Sequence, residues 1–235
     1  MPDVPNRTFY CKIYANINKM SSEYNRKQKF YDLFDYNTKG NPFVLKKISS
    51  GSKVLDVGCG AGNLGIGLKE KNCEVWGMDV SEKSVKKSKK KMGHVFLVDL
   101  EKASKWPFLQ KFDFVVLADI LEHLRNPEDI LKLSKNHLKP DGKIIVSIPN
   151  VAFVSVRLNL LMGRFRYTDW GICDNTHVHF YTLESISELL RQSGFKIEFV
   201  EGFPLTIRRF TWFTYPLTQM FKNLLARQFI IVART

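Results

Sequence analysis

From residue 53 onward, short apolar runs alternate with stretches whose apolar residues recur at helical spacing. The runs predict strands at Lys53–Val57, Glu74–Met78, Val95–Val98, Phe112–Ala118, Lys143–Pro149, Phe195–Val200 and Gln228–Ala233. The stretches between them predict helices near Asn63–Lys71, Glu82–Met92 and Asn126–His137. A further helix runs to Gln192, with Thr182 as its N-cap and Gly194 closing it. FDFVVLA, the fourth run, is almost wholly apolar and so is buried on both faces, and Pro140-Asp141-Gly142 reads as the turn into the fifth. Strands alternating with helices describe a parallel sheet flanked by helices.

The alternation stops between Asn150 and Tyr181, where VRLNLLMGRFRYTDWGICDNTHVHFYT takes the place of the next helix. That stretch reads as an inserted lid. Residues 1–52 are polar and aromatic, so the chain divides into a lead-in (1–52) and one α/β domain (53–235) carrying an insertion at 150–181. Its 235 residues suffice for one domain with modest additions.

The first strand runs into VLDVGCGAGNLG. Glycine at alternate positions lets a ligand lie against the backbone of the turn into the next helix. Gly60-x-Gly62-x-x-Gly65 matches the dinucleotide spacing. The phase that continues from the strand, however, is Gly58-x-Gly60-x-Gly62, with Asp56 inside the strand, and this favours a single nucleoside. Asp79 ends the second strand, about twenty residues beyond the turn, where a carboxylate can accept from ribose hydroxyls. Asp99 ends the third, placed for an exocyclic amine. For both, capping of the next helix is the alternative use.

Thirty-six Lys and Arg against 23 Asp and Glu give a net charge of +13, which invites a nucleic-acid or anionic-membrane reading. Much of the excess falls on Lys83, Lys86, Lys87, Lys89, Lys90 and Lys91, the face of one solvated helix with no interleaved aromatics. That distribution argues against nucleic acid. Cys11, Cys59, Cys73 and Cys173 form no CxxC pair and are read as reduced thiols. With no signal-peptide pattern and no apolar run of spanning length, the expected location is cytoplasmic.

VLDVGCGAGNLG, VWGMDVS, FLVDLE, FDFVVLADILEHL and LKPDGKIIVSIPN resemble, in order and spacing, the motifs of class I S-adenosylmethionine-dependent methyltransferases over Lys53 to Asn150. The resemblance implies a Rossmann-like, doubly wound, mostly parallel seven-stranded sheet with an antiparallel C-terminal strand, and S-adenosylmethionine as cofactor. It sets Gly58, Gly60 and Gly62 against the methionine moiety, with Asp56 and Cys59 in the same cofactor-facing set. Asp79 and Val80 fall to the ribose, Asp99 and Leu100 to the adenine, and Ala118 and Asp119 to the wall beneath the methionine. An N-terminal helix carrying Tyr24 or Tyr31 would close the cleft.

Past the core, IPNVAFVSVRLNLLMGRFRYTDWGICDNTHVHFYT resembles a subgroup associated with glycosyltransferases in surface-polysaccharide clusters. A sister subgroup of quinone-biosynthesis O-methyltransferases shares the LEH element. The resemblance therefore implies a sugar or glycan hydroxyl as acceptor, with a quinone-type phenol as the alternative. RNA methylation and NAD-dependent reduction stand further off.

Such a hydroxyl needs a base, and His123, with Glu122 beside it, follows the fourth strand where the methyl should point. His177 and His179 alternate on an expected short strand as further candidates. Asp119, Glu122 and His123 also offer ligands for a divalent cation, although no metal is assigned. From Phe203 to Phe229, aromatics interleaved with Arg208, Arg209, Lys222 and Arg227 suggest peripheral membrane contact, against simple coverage of the sheet, with Pro204 and Pro216 breaking any long helix. The oligomeric state stays open.

Overall fold

A computed structural model describes residues 40–203 and 211–235, without the side chains of residues 211–213. Tyr24, Phe30, Tyr31, Phe34 and Tyr36, the expected cleft wall, lie outside the described residues, as do Pro204, Arg208 and Arg209.

A short helix α1 (Pro42–Lys46) precedes β1 (Lys53–Val57), α2 (Asn63–Glu70), β2 (Glu74–Asp79), α3 (Glu82–Lys89), β3 (His94–Leu97) and β4 (Phe112–Ala118). A 3-10 turn (Leu121–His123), α4 (Pro127–Asn136), β5 (Leu138–Pro149) and α5 (Val154–Leu161) follow. The chain then forms α6 (Leu183–Gln192), β6 (Lys196–Phe203), α7 (Thr211–Met220), α8 (Lys222–Leu225) and β7 (Gln228–Arg234). The strands make one seven-stranded sheet in the order β3-β2-β1-β4-β5-β7-β6, with β1 to β5 parallel and β7 antiparallel to both its neighbours. The chain leaves β1 towards one edge and returns at β4 to build the other half. The crevice at that reversal, outside the carboxyl ends of β1 and β4, is where such sheets bind ligands.

Each strand's period of two sends alternate residues into separate cores. Leu55, Val57, Val115, Leu117 and Ile144 pack with Ile130 and Leu131 of α4 and Ile186 and Leu190 of α6. Val54, Val75, Val116 and Ile145 pack on the opposite face with Val44 and Ile48 near α1, Leu68 of α2 and Val85 of α3. Thr182 caps α6, its side chain accepting from Ser185 N at 3.2 Å.

Some expected boundaries move. Pro140-Asp141-Gly142 does not precede the fifth strand but bulges within it, because Leu138 already pairs with Phe112 and Lys143 resumes with Phe114. A side chain at Gly142 would meet the Phe112 carbonyl at 2.8 Å. β6 runs past Val200 to Phe203, and α7 continues through Pro216 instead of breaking there.

The insertion is fastened at its stem. Asn150 bridges to Tyr181, and Val151 N donates to the Tyr181 carbonyl at 2.9 Å. Asn150 itself is fully buried. Its Nδ2 donates to the Ala226 carbonyl at 2.7 Å, its Oδ1 accepts from Ala152 N at 3.0 Å, and its backbone N donates to the Arg227 carbonyl at 2.9 Å. Replacing Asn150 by Ala leaves the Ala226 carbonyl and Ala152 N without their side-chain partner and is expected to cost about 2–3 kcal/mol of stability in urea unfolding.

Candidate active site

Three glycines turn the chain out of β1, with φ of +73° at Gly58, +51° at Gly60 and +76° at Gly62. They do different jobs. A Cβ at Gly58 would strike Ile120 at 2.0 Å, and one at Gly62 would press on Ser88 of α3 at 2.9 Å, so these two make room for the protein's own packing. Gly60 alone of the three has open space within 4 Å of that position. The expectation that all three clear space for a ligand is thus corrected to one.

The turn is held to β2. Gly58 N and Cys59 N both donate to the Met78 carbonyl, at 2.8 and 2.9 Å. Asp79 accepts from Gly60 N at 2.8 Å through Oδ2 and from Ser81 N at 2.9 Å through Oδ1, so its carboxylate lies beside the open glycine with Val80 partly exposed next to it. Asp99 accepts from Glu101 N at 3.1 Å and pairs with Lys102 at 3.0 Å; Leu100 packs against the core. That geometry is a local turn contact, and no helix follows Asp99 for it to cap before β4. Beneath the turn Asp56 is buried, and burial together with the nearby Asp79 pushes its carboxyl up to about 7. Burial, then Asp56 and Asp79, raise the Cys59 thiol, which is unreactive there; Cys59, Cys73 and Cys173 are all free.

At the exit of β4, Ala118 leads into Asp119, a non-glycine residue at φ +55°. That conformation costs an L-residue about 1–2 kcal/mol. Three contacts hold it: Asp119 N donates to the Ser147 carbonyl at 3.1 Å, and its Oδ1 accepts from Ser147 Oγ at 3.0 Å and Gln228 Nε2 at 2.6 Å. Asp119 stays accessible at the cleft mouth. Protein crowded around its carboxyl still raises the pKa, against the lowering effects of Ser147 and Gln228.

The kink lays Ile120 over Gly58 and starts the 3-10 turn. Glu122 is 1% exposed, and neither carboxyl oxygen has a hydrogen-bond partner. Burial, then Asp119 and Asp174, hold it well above the usual carboxylate range. The ring of His123 packs edge-on against that of His177, centroids 4.8 Å apart, while its Nδ1 lies 3.1 Å from Thr176 Oγ1. Burial lowers the pKa of His177, against the raising effects of Asp174, the Ile172 carbonyl and Asp119.

His177 and His179 do not share a strand. Val178 N and His179 N both donate to the Glu122 carbonyl, at 2.8 and 3.1 Å, and the backbone there is irregular. His177 enters the cluster, whereas Nε2 of His179 bonds the Arg125 carbonyl at 3.2 Å and pins the loop. Donor atoms of Glu122, His123 and His177 lie within 4.8 Å of one another, a set that could hold a divalent cation, with His177 in place of the expected Asp119. Sequence reasoning missed Ser147, Gln228 and Thr176. Ser147 carried a signal, as the one polar residue in the apolar run from Ile144 to Pro149.

Residues 24–199 match a family described as a methyltransferase domain. The chain belongs to the class I methyltransferase family. Curated relatives include the ubiquinone biosynthesis O-methyltransferase of Idiomarina loihiensis, 33% identical over 61% of this chain and 60% of that one. That of Coxiella burnetii is 33% identical over 69% and 73%. The chain spans 55–60% of the length of the Idiomarina and Dechloromonas aromatica relatives. Among solved structures, an S-adenosylmethionine-dependent methyltransferase from Mesorhizobium loti superposes with a TM-score of 0.61 at 19% identity, over 85% of this chain and 99% of that one. Magnesium protoporphyrin IX methyltransferase from Synechocystis, solved with bound SAH, gives 0.56 at 21%, over 82% and 78%.

S-adenosylmethionine is the cofactor of this family, and the site fits it. Gly60 leaves the turn open, and the carboxylates of Asp56 and Asp79 suit a cationic, ribose-bearing ligand.

Asp56 links the site to stability. Between about pH 4 and pH 7 the folded protein keeps a proton there that the unfolded chain has released, so stability falls as pH rises through this window. Asp56→Asn is expected to stabilise the protein at pH 8 by the order of 4 kcal/mol and to change little at pH 4, as read by urea denaturation at both.

Proposed function

We propose that this protein transfers a methyl group from S-adenosylmethionine to a phenolic hydroxyl of a quinone-type acceptor, with His123 as base. The observation that carries the reading is the histidine cluster of His123 and His177, built at the strand exit that packs on the glycine turn. The curated relatives named as ubiquinone biosynthesis O-methyltransferases support the phenol over the sugar or glycan acceptor that the insertion suggested. Bound S-adenosylmethionine would supply an electrophilic methyl on its sulfonium. Asp79 and the backbone at Gly60 would hold the ribose end, and Asp56 and Asp119 would surround the methionine end. His123 would take the proton of the acceptor hydroxyl as the oxygen becomes nucleophilic. Glu122, buried with both carboxyl oxygens unpartnered, is given no proton-transfer role in this reading.

A second reading places a divalent cation on Glu122, His123 and His177, and its support is the unpartnered carboxyl of Glu122. Activity lost in chelator and restored by magnesium or zinc would establish it; activity indifferent to chelator would remove it.

A quinone-type acceptor is apolar, and the insertion suits a peripheral membrane contact. Residues 161–170 are all exposed, including Leu161, Met162, Phe165, Tyr167 and Trp170 beside Arg164 and Arg166. This moves the expected contact from the C-terminal stretch, where Met220 and Phe221 are also exposed, towards the insertion. No helix among the described residues is long and apolar enough to cross a membrane.

Methyl transfer from labelled cofactor to catechol, nucleotide-sugar and RNA acceptors, read by mass spectrometry, should give product with the catechol. Product from the sugar alone would return the acceptor to the glycan reading. His123→Ala is expected to lower turnover by about 10² to 10⁴ while calorimetry shows S-adenosylhomocysteine affinity unchanged. Asp79→Ala should weaken that affinity by about 1.5–3 kcal/mol.

A further inference from the structure

Thr176 stands between a buried carboxylate and the imidazole of His123. Asp174 is 5% exposed, and its Oδ1 accepts from Thr176 N at 2.7 Å and from Thr176 Oγ1 at 2.7 Å. On the other side, Oγ1 lies 3.1 Å and the Thr176 carbonyl oxygen 3.3 Å from Nδ1 of His123. A carbonyl oxygen can only accept. The hydroxyl has one proton, and Asp174 takes it at the shorter distance, so towards the ring Oγ1 offers a lone pair. Both groups facing Nδ1 are then acceptors. In the neutral ring Nδ1 must carry the proton, and the basic lone pair belongs to Nε2.

We infer that Asp174 and Thr176 are positioning residues that hold His123 in the Nδ1–H tautomer and make Nε2 the atom that removes the acceptor's proton. The inference rests on the reading of His123 as base. In the step, the O–H bond of the acceptor breaks, its proton goes to Nε2, and the electron pair stays on the oxygen that receives the methyl; Nδ1–H keeps its bond to Thr176.

The relay is supplied by the insertion, 53 residues downstream of His123. Its own loop is tied in place: Asp174 bridges to Thr168, Asn175 N donates to the Thr168 carbonyl at 2.9 Å, and Thr168 N donates to the Cys173 carbonyl at 2.9 Å. The segment expected to act as a lid thus carries the group that sets which nitrogen of the base is active.

The decisive measurement needs no acceptor. With only five histidines in the chain, long-range ¹H–¹⁵N correlation of imidazole-labelled protein at pH 8, assigned by His123→Ala, reports the tautomer directly. Wild type should show a protonated Nδ1 and an unprotonated Nε2. Asp174→Ala, which frees the hydroxyl proton to turn on Nδ1, should shift the population towards Nε2–H; Thr176→Val, which leaves the backbone carbonyl alone facing Nδ1, should shift it less; and Thr176→Ser should preserve the wild-type pattern. S-adenosylhomocysteine affinity, unchanged in each variant, certifies the fold. With a catechol acceptor, Thr176→Val should lower kcat by about tenfold or more at constant KM, and Thr176→Ser should restore it. An Nε2–H tautomer in wild type, or a tautomer that ignores Asp174→Ala in a folded protein, overturns the relay. Full turnover in His123→Ala with the tautomer as expected would instead sink the base assignment and leave the relay standing.

Discussion

The backbone of Asp119 is the point on which the site turns. A left-handed residue after a buried parallel strand is unfavourable, and Ser147 and Gln228, from β5 and β7, are what keep it there. Everything downstream inherits that direction. Ile120 settles over Gly58, the 3-10 turn buries Glu122 and presents His123, and the Glu122 carbonyl receives two N–H groups of the insertion. The glycine turn, His123 and the insertion are thus referenced to one strand exit.

The sheet was largely legible in the sequence because its code is local: apolar runs of strand length, period-two burial and turn residues between them. Where the reading failed, the missing information was tertiary. Gly58 and Gly62 look like ligand clearance in one dimension, but their neighbours are Ile120 and Ser88, far along the chain. His177 and His179 read as one face only on the assumption of a strand, and the Glu122 carbonyl imposes another geometry. Thr176 is an ordinary residue until the fold carries it to His123.

The electrostatics run against the composition. A chain with a net charge of +13 gathers Asp56, Asp79, Asp119, Glu122 and Asp174 around the carboxyl ends of its central strands. Burial raises Asp56, Asp119 and Glu122, and repulsion from neighbouring carboxylates adds to it at Asp56 and Glu122. A cationic ligand bound there would relieve that repulsion, whereas a neutral one of the same shape would not.

The stem at Asn150 and Tyr181 closes the insertion into a loop with both ends on the sheet. Such a segment invites exchange between homologues, since its replacement leaves the strand order untouched. Yet the same loop supplies the threonine that faces the imidazole. A graft of this loop would therefore also replace the neighbour of His123, so that on the proposed reading acceptor range and catalytic competence would change hands together, as a single inheritable unit.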